Sequence, residues 1–277
     1  MARQWLGQHF LGSSAWRERI LETLPLSRSG TWLEIGAGHG EMTQLLAPRA
    51  GRVIAIETDE RLLPRLRERA TREWANVEIA AGDVLTLDLG ALAGGGPFRG
   101  YGNVPYYITS PILHRAFEYA AQLESLHVVI QFEVAQRIAA HPGHREYGYL
   151  SALCQFYAKP EIVFRIPPGA FQPPPKVQSA LVKMMLPGER ASLGISDERG
   201  FLKFIQQCFA HKRKTLRNNL LALASSDCVH QALGGAGLRA DTRAEQLTLA
   251  QFAALFPAFN SSLQIRTKRG KPRRTGD

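Results

Sequence analysis

The chain has 277 residues, of which 45% are hydrophobic and 21% charged, a composition typical of a folded protein rather than a disordered one. Its net charge of +10 suits a partner that carries phosphate groups, such as a nucleic acid. Three widely spaced cysteines and the absence of a long apolar run argue against a disulfide framework and a membrane span, so we expect a cytoplasmic protein.

Helix and strand patterns alternate along residues 1–186. In chain order they predict a helix at 14–24, a strand at 31–35 followed by a helix to 46, a strand at 52–56, a helix at 60–70, strands at 77–80, 98–102 and 126–131, a helix at 133–140 and a strand at 180–186. This alternation indicates a doubly wound, mostly parallel α/β sheet.

The pattern changes after residue 186. Pro187 and Gly188 break the last strand, and from about residue 198 the apolar spacing is helical only. We therefore expect a catalytic domain over 1–186, a small helical domain over 198–260 and a basic, disordered tail over 261–277. Without an obvious association helix, we expect a monomer.

A glycine-rich turn follows the first strand of the predicted sheet. Gly36, Gly38 and Gly40 allow a tight turn and close approach of a ligand to the backbone. The turn does not match the dinucleotide fingerprint, because Glu41 stands where that motif requires its third glycine. Taken alone, the glycines could also be an ordinary turn.

Two carboxylates follow the next two strands. Glu57 is placed to accept the ribose hydroxyls of an adenosyl group, and Asp83 to hold its adenine amine, although Asp83 could equally be a helix cap or turn former. Because the carboxyl ends of parallel strands share one edge of a sheet, these positions together predict a nucleoside pocket.

The fourth strand runs into Asn103-Val104-Pro105-Tyr106, which resembles the catalytic motif of methyltransferases that act on planar amines. The Asn103 side-chain oxygen and the Val104 carbonyl oxygen could each accept a hydrogen bond from an N–H group of the amine. This would turn the nitrogen lone pair toward a methyl donor. Pro105 would fix the turn, and Tyr106 could stack on an extruded base. An Asn-Pro turn beside a core tyrosine is the plainer alternative.

Further motifs make the resemblance specific. The segments occur in the order found in the KsgA/RsmA family of small-subunit rRNA adenine dimethyltransferases: 7–11 (GQHFL), 34–40 (EIGAGHG), 56–59 (IETD), 82–83 (GD), 103–106 (NVPY), 131–137 (QFEVAQR), 147–151 (YGYLS), 171–177 (FQPPPKV) and 212–220 (KRKTLRNNL). This resemblance implies a Rossmann-like class I methyltransferase sheet with a small C-terminal helical domain. It also implies S-adenosylmethionine as cofactor and a small ribosomal subunit precursor as partner, with dimethylation of two adjacent adenines in the 3′-terminal hairpin of its rRNA.

The resemblance also implies roles for individual residues. His9 and Leu11 would contact the cofactor from the N-terminal arm, Gly36 and Gly38 would approach its methionine part, and Phe171 would stack on the extruded adenine opposite Tyr106. Asn103 would also border the cofactor. The family more often has asparagine at the position of His9, and leucine at that of Val104.

Basic residues in the predicted helical domain are candidates for phosphate contacts. Lys212, Arg213, Lys214 and Arg217 would spread over one side of a helix and bind RNA, unless they form only a solvated face. No metal site is expected, since the histidines of the single HxxH pair lie in a Pro-Gly turn. Two other functions remain open: methylation of large-subunit rRNA, and non-catalytic RNA binding.

Overall fold

A computed structural model describes residues 9–260, which form two compact units. The first unit contains residues 9–139 and 157–187, and the second contains residues 140–156 and 188–260. The sequence pattern assigns 140–156 to the catalytic domain, whereas the structure groups this segment with the C-terminal helices. The predicted basic tail, 261–277, lies outside the described residues.

The first unit is built on a seven-stranded sheet and a separate two-stranded clasp. The strands are β1 (Phe10–Leu11), β2 (Thr31–Ile35), β3 (Arg52–Glu57), β4 (Val77–Ala81), β5 (Phe98–Asn103), β6 (Leu123–Gln131), β7 (Lys159–Ile166), β8 (Phe171–Gln172) and β9 (Ser179–Met185). The large sheet has the order β4-β3-β2-β5-β6-β9-β7, and the clasp pairs β1 with β8.

Five strands of the large sheet, from β4 to β6, are mutually parallel. β9 is antiparallel to both of its neighbours, β6 and β7, so β7 runs in the same direction as the five parallel strands. The predicted α/β class and the mostly parallel sheet are confirmed. The pattern did not predict β7, and β9 inserts between β6 and β7 through pairing that no local signal reveals. The central strands β2 and β3 are almost wholly buried, as expected of parallel strands covered on both faces.

Helices flank these strands in the first unit. They are α1 (Ser14–Leu21), α2 (Thr43–Leu46), α3 (Leu63–Glu73), α4 (Leu89–Leu92), α5 (Thr109–Phe117) and α6 (Phe132–Ala139). α3 shows why such segments become helices here: Leu63, Leu66 and Ala70 recur at helical spacing and are buried, while its arginines and glutamates occupy the other side.

The second unit is helical. Its helices are α7 (Tyr149–Tyr157, whose last residue belongs to the first unit), α8 (Arg190–Leu193), α9 (Glu198–Cys208), α10 (Leu216–Leu220), α11 (Ser226–Gly235) and α12 (Leu249–Leu255). Aromatic rings dominate its core: Phe201 packs against Phe256, and Phe204 stacks on Phe259 at a centroid distance of 5.4 Å. Across residues 9–260, no helix combines the length and apolarity that a membrane crossing requires.

Candidate active site

The carboxyl ends of four neighbouring strands converge on one cleft in the first unit. Gly36 follows β2, Glu57 ends β3, Gly82 and Asp83 follow β4, and Asn103 ends β5. About 830 Å³ of space, part of it open solvent, lies between the walls of this cleft. Its lining residues are His9, Phe10, Ile35, Gly36, Gly38, Ile56, Glu57, Thr58, Gly82, Asp83, Val84, Asn103, Val104, Pro105, Tyr106, Tyr107, Ile108 and Ile112.

The glycine turn holds a backbone conformation that suits a close ligand. Gly36 and Gly38 have φ of +76° and +60°, in the left-handed region where a side chain is strained. The Gly36 amide donates to the Ile56 carbonyl at 2.9 Å, which ties the turn to β3. A Cβ at Gly38 would come within 3.1 Å of the Phe10 ring, so a side chain there would also crowd that ring.

Glu57 is buried and rigidly held. Its Oε2 accepts a hydrogen bond from the Gly38 amide at 2.7 Å, and its Oε1 accepts from the amides of Thr58 and Asp59 at 2.9 and 2.8 Å. Each carboxylate oxygen can accept more than one hydrogen bond, so this network orients the group and leaves capacity for hydroxyl donors in the cleft. The arrangement couples Glu57 directly to the glycine turn.

Asp83 stabilises a turn and also borders the cleft. Its Oδ1 accepts from the Leu85 amide at 2.9 Å, which makes it a turn former, and the residue also lines the cleft. Its carboxylate is exposed, so its second oxygen is available to an amine donor.

Asn103 ends β5, which flanks β2 on the side away from β3 and Glu57, and Tyr106 follows shortly after it. The Asn103 amide nitrogen donates to the His9 carbonyl oxygen at 2.8 Å. The Tyr106 hydroxyl is hydrogen-bonded to the Ser179 hydroxyl at 2.6 Å, its ring stacks on that of His9 at a centroid distance of 5.6 Å, and partial burial raises the pKa of its phenol. Val104 is buried, and Pro105 introduces the 3-10 turn Tyr106–Ile108. The Asn-x-Pro-Tyr segment is therefore a fixed structure at the edge of the cleft.

Residues 9–11 are held beside the cleft by the pairing of β1 with β8. Phe10 and Leu11 pair with Gln172 and Phe171 of β8, and the His9 ring nitrogen Nδ1 lies 2.7 Å from the Pro173 carbonyl oxygen. Successive strand residues face opposite ways, so Phe10 lines the cleft while Leu11 is buried in the core. The expected cofactor contact from this segment was Leu11, not Phe10. Leu11 lines a smaller neighbouring pocket and is not among the residues that line the cleft.

Phe171 is the clearest departure from the expected site. Its side chain is only 3% exposed and belongs to the same core cluster as Leu11 and Ile20. A ring enclosed in this way has no open face for an extruded adenine, and it does not line the cleft in this structure. The expected stacking opposite Tyr106 therefore has no support from this arrangement.

The predicted basic helix in the second unit is instead a turn followed by a short helix. Lys212, Arg213 and Lys214 are exposed in the turn between α9 and α10, and Thr215 caps α10 by accepting from the Asn218 amide. The buried Asn219 side chain explains the break, because its amide donates to the Cys208 carbonyl oxygen at 2.7 Å and to that of His211.

Arg217 lies in α10 and is partly buried, and its guanidinium donates to the Ser226 hydroxyl at 3.0 Å. In the preceding turn, the Lys212 ammonium donates to the Arg145 carbonyl oxygen at 2.9 Å. In the part of the chain that the structure describes, no three His, Cys, Asp or Glu side chains are grouped to hold a metal ion.

Comparison with known proteins identifies the family. Residues 1–261 match the family described as ribosomal RNA adenine dimethylase. The chain belongs to this family. It is 45% identical over 253 residues to ribosomal RNA small subunit methyltransferase A of Acidobacterium capsulatum, covering 91% of this chain and 89% of that protein. It is 41% identical to the protein of the same name from Koribacter versatilis, covering 91% and 92% of the two chains.

Solved structures of similar proteins support the fold. A dimethyladenosine transferase from Plasmodium falciparum superposes with a TM-score of 0.79 at 24% identity, covering 92% of this chain and 98% of that one. The 23S rRNA methyltransferase ErmE superposes with a TM-score of 0.69 at 27% identity, covering 91% and 99%. The sheet is thus the Rossmann-like sheet of class I methyltransferases, as the family resemblance implied.

Proposed function

We propose that the protein uses S-adenosylmethionine to dimethylate the N6 amines of two adjacent adenines in the 3′-terminal hairpin of 16S rRNA. The main support for this proposal is the orientation of the Asn103 side-chain amide. Its amide nitrogen donates to the His9 carbonyl oxygen, which leaves its side-chain oxygen as an acceptor beside the cleft. A planar amine needs such an acceptor before its lone pair can attack.

The residues present fit S-adenosylmethionine. Gly36 and Gly38 leave the backbone open to its methionine part, the fixed carboxylate of Glu57 faces the cleft where ribose hydroxyls would lie, and Asp83 offers an acceptor to its adenine amine. His9 and Phe10 close the cleft from the arm. Bound there, the cofactor supplies an electrophilic methyl group on a sulfonium.

The chain's own groups would prepare the target amine. The Asn103 side-chain oxygen and the Val104 carbonyl oxygen each accept a hydrogen bond from an N–H group of the amine. These two bonds direct the nitrogen lone pair toward the methyl group. Pro105 holds the turn, and the ring of Tyr106, fixed by Ser179 and His9, provides a surface for the extruded base. The nitrogen loses its proton after it becomes cationic, so positioning rather than a strong base supplies the acceleration.

Lys212, Arg213, Lys214 and Arg217 are proposed to contact RNA phosphates. The first three are exposed on a turn, where long cationic side chains can reach RNA phosphates, and Arg217 lies at the start of the next helix. To contact a phosphate, the Lys212 ammonium would exchange its hydrogen bond with the Arg145 carbonyl oxygen. Such contacts would make RNA binding steeply dependent on salt.

The small subunit is the favoured substrate because of the degree of similarity. The two small-subunit relatives are 45% and 41% identical to this chain, whereas the large-subunit enzyme ErmE is 27% identical. The set of Glu57, Asp83 and Asn103 around one cleft favours an enzyme over a non-catalytic RNA-binding factor. We further propose that the protein has a role in small-subunit assembly, is a monomer and is cytoplasmic. These properties fit an enzyme that acts on ribosome precursors.

Labelled methyl transfer to ribosomal subunits tests this function. We expect label from S-adenosylmethionine to enter small subunits that lack the modification, and mass analysis to find N6,N6-dimethyladenosine in the 3′-terminal hairpin. Label in large-subunit RNA instead would favour an enzyme that methylates large-subunit rRNA. Label in neither RNA, with RNA binding intact, would favour a binding factor.

A further inference from the structure

Tyr107 is an unusual residue on the rim of the cleft. Its side chain is 65% exposed, and it is the only phenylalanine, tyrosine or tryptophan between residues 9 and 260 that is exposed. Single exposed apolar residues are common on proteins, but this one lines the same cleft as Asn103 and Tyr106. Its position connects it with the substrate rather than with a remote surface.

The backbone under Tyr107 is well fixed. It is the middle residue of the 3-10 turn Tyr106–Ile108, in which the Ile108 amide donates to the Pro105 carbonyl oxygen at 3.1 Å. The Thr109 hydroxyl also donates to the Tyr106 carbonyl oxygen at 3.2 Å. The ring is therefore presented from a rigid turn, and an aromatic ring on such a support loses little conformational entropy when it binds.

The two adjacent tyrosines differ in their surroundings. Tyr106 is held through its hydroxyl by Ser179 and through its ring by His9, whereas the Tyr107 side chain has no hydrogen bond or ring contact within the described part of the chain. Packing and internal hydrogen bonding thus account for Tyr106 and leave the aromatic character of Tyr107 unexplained.

We propose that Tyr107 stacks on the base of the nucleotide next to the extruded adenine and so positions the RNA strand. This inference rests on the proposed function. Extruding one base from a loop interrupts its stacking with the neighbouring base, and an aromatic side chain at the mouth of the pocket can replace that contact. The adjacency of Tyr106 and Tyr107 suits two successive nucleotides, one inside the cleft and one at its rim.

A protein partner fits this surface less well. The exposed large hydrophobic side chains of the first unit, among its described residues, are Tyr107 and Val177. Protein interfaces bury a broad and well-packed patch, whereas a single ring at a pocket mouth is the form that base stacking takes. An RNA base is therefore the partner that fits this ring.

Variants at Tyr107 test the proposal through methyl transfer to unmodified small subunits. Tyr107→Ala and Tyr107→Leu should raise the KM for subunits roughly tenfold, because a stacked base is lost, while Tyr107→Phe should stay within about twofold of wild type. The Kd for S-adenosylmethionine and the Tm should not change, since the side chain is exposed. Val177→Ala is the matched control, and it should leave the KM unchanged.

Two results would overturn the proposal while leaving the proposed function intact: a wild-type KM in Tyr107→Leu, or a Tyr107→Phe variant as impaired as Tyr107→Ala. The first would show that no ring is needed, and the second that the hydroxyl rather than the ring matters. If wild-type protein transferred no methyl to small subunits, the proposed function would fail and this inference with it.

Discussion

The Asn103 side chain and the main chain of His9 are joined across the site by a hydrogen bond of 2.8 Å. A carbonyl oxygen can only accept, so the bond fixes the amide nitrogen of Asn103 against the arm and turns its oxygen the other way. The orientation of the group proposed to receive the adenine amine is therefore set by a segment 94 residues earlier in the chain.

This relationship predicts that His9 tolerates substitution, because the main chain supplies the carbonyl. His9→Asn, which introduces the residue more usual in the family, should retain most methyl transfer. His9→Ala should lose about fivefold in kcat/KM, since it removes the contacts of the ring with Tyr106 and Pro173, worth about 1 kcal/mol. Steady-state kinetics on small subunits measure both variants. An inactive His9→Asn enzyme would show that the side chain, not the carbonyl, is essential.

Asp83 should govern cofactor affinity without affecting stability. Asp83→Asn can still accept from the Leu85 amide, but it places an NH2 group where an oxygen would meet the adenine amine. We expect affinity for S-adenosylmethionine to fall roughly tenfold and the Tm to stay unchanged. Calorimetric titration gives the Kd. Asp88→Asn is the control, because Asp88 also accepts from a backbone amide but does not line the cleft. Unchanged affinity in Asp83→Asn would remove this residue from the adenine site.

His127 should make the protein less stable in mild acid. The residue is fully buried on β6, and burial, reinforced by the positive charges of Lys183 and Arg99, lowers the pKa of its imidazole from 6.5 to about 4. The unfolded chain therefore takes up a proton on this imidazole at a higher pH than the folded protein does. The folded state keeps its full stability above pH 6.5 and loses stability as pH falls toward 4, by about 2 kcal/mol between about pH 7 and pH 5.

Urea unfolding at pH 7 and pH 5 measures this effect. Buried Glu34 acts in the opposite direction, because burial raises the pKa of its carboxyl from 4.5 to about 8, so the wild-type slope alone does not isolate His127. The contribution of His127 is the difference between wild type and His127→Gln in how the free energy of unfolding changes with pH. His230→Gln, at an exposed histidine of the second unit, should keep the wild-type slope. Equal slopes in wild type and His127→Gln would contradict the prediction.

The strand-end positions around the cleft could be predicted from the sequence because local signals define them. Gly36, Glu57, Asp83 and Asn103 each follow or end a strand, and parallel strands bring their carboxyl ends to one edge. The alternation of strands and helices was likewise enough for the α/β class. These features depend on short segments read in order along the chain.

Features that depend on distant pairing could not be predicted in this way. Phe10 rather than Leu11 lines the cleft, and Phe171 is buried. Both features follow from the pairing of β1 with β8, about 160 residues apart. The turn at Lys212 depends on hydrogen bonds from Asn219 to residues before it. A pattern of apolar residues does not report either kind of contact.

The most direct test of the account is single-turnover methyl transfer by Asn103→Ala to small subunits. The variant loses the oxygen that orients the amine, and we expect the rate to fall more than about 100-fold, as misplacement of a reacting group does. Affinity for S-adenosylmethionine should stay largely intact. Asn76→Ala, which removes an amide bonded to the carbonyl oxygens of Ala47 and Ala50 away from the cleft, should lower the Tm but keep the wild-type rate. A wild-type rate in Asn103→Ala would contradict the proposed role of the motif.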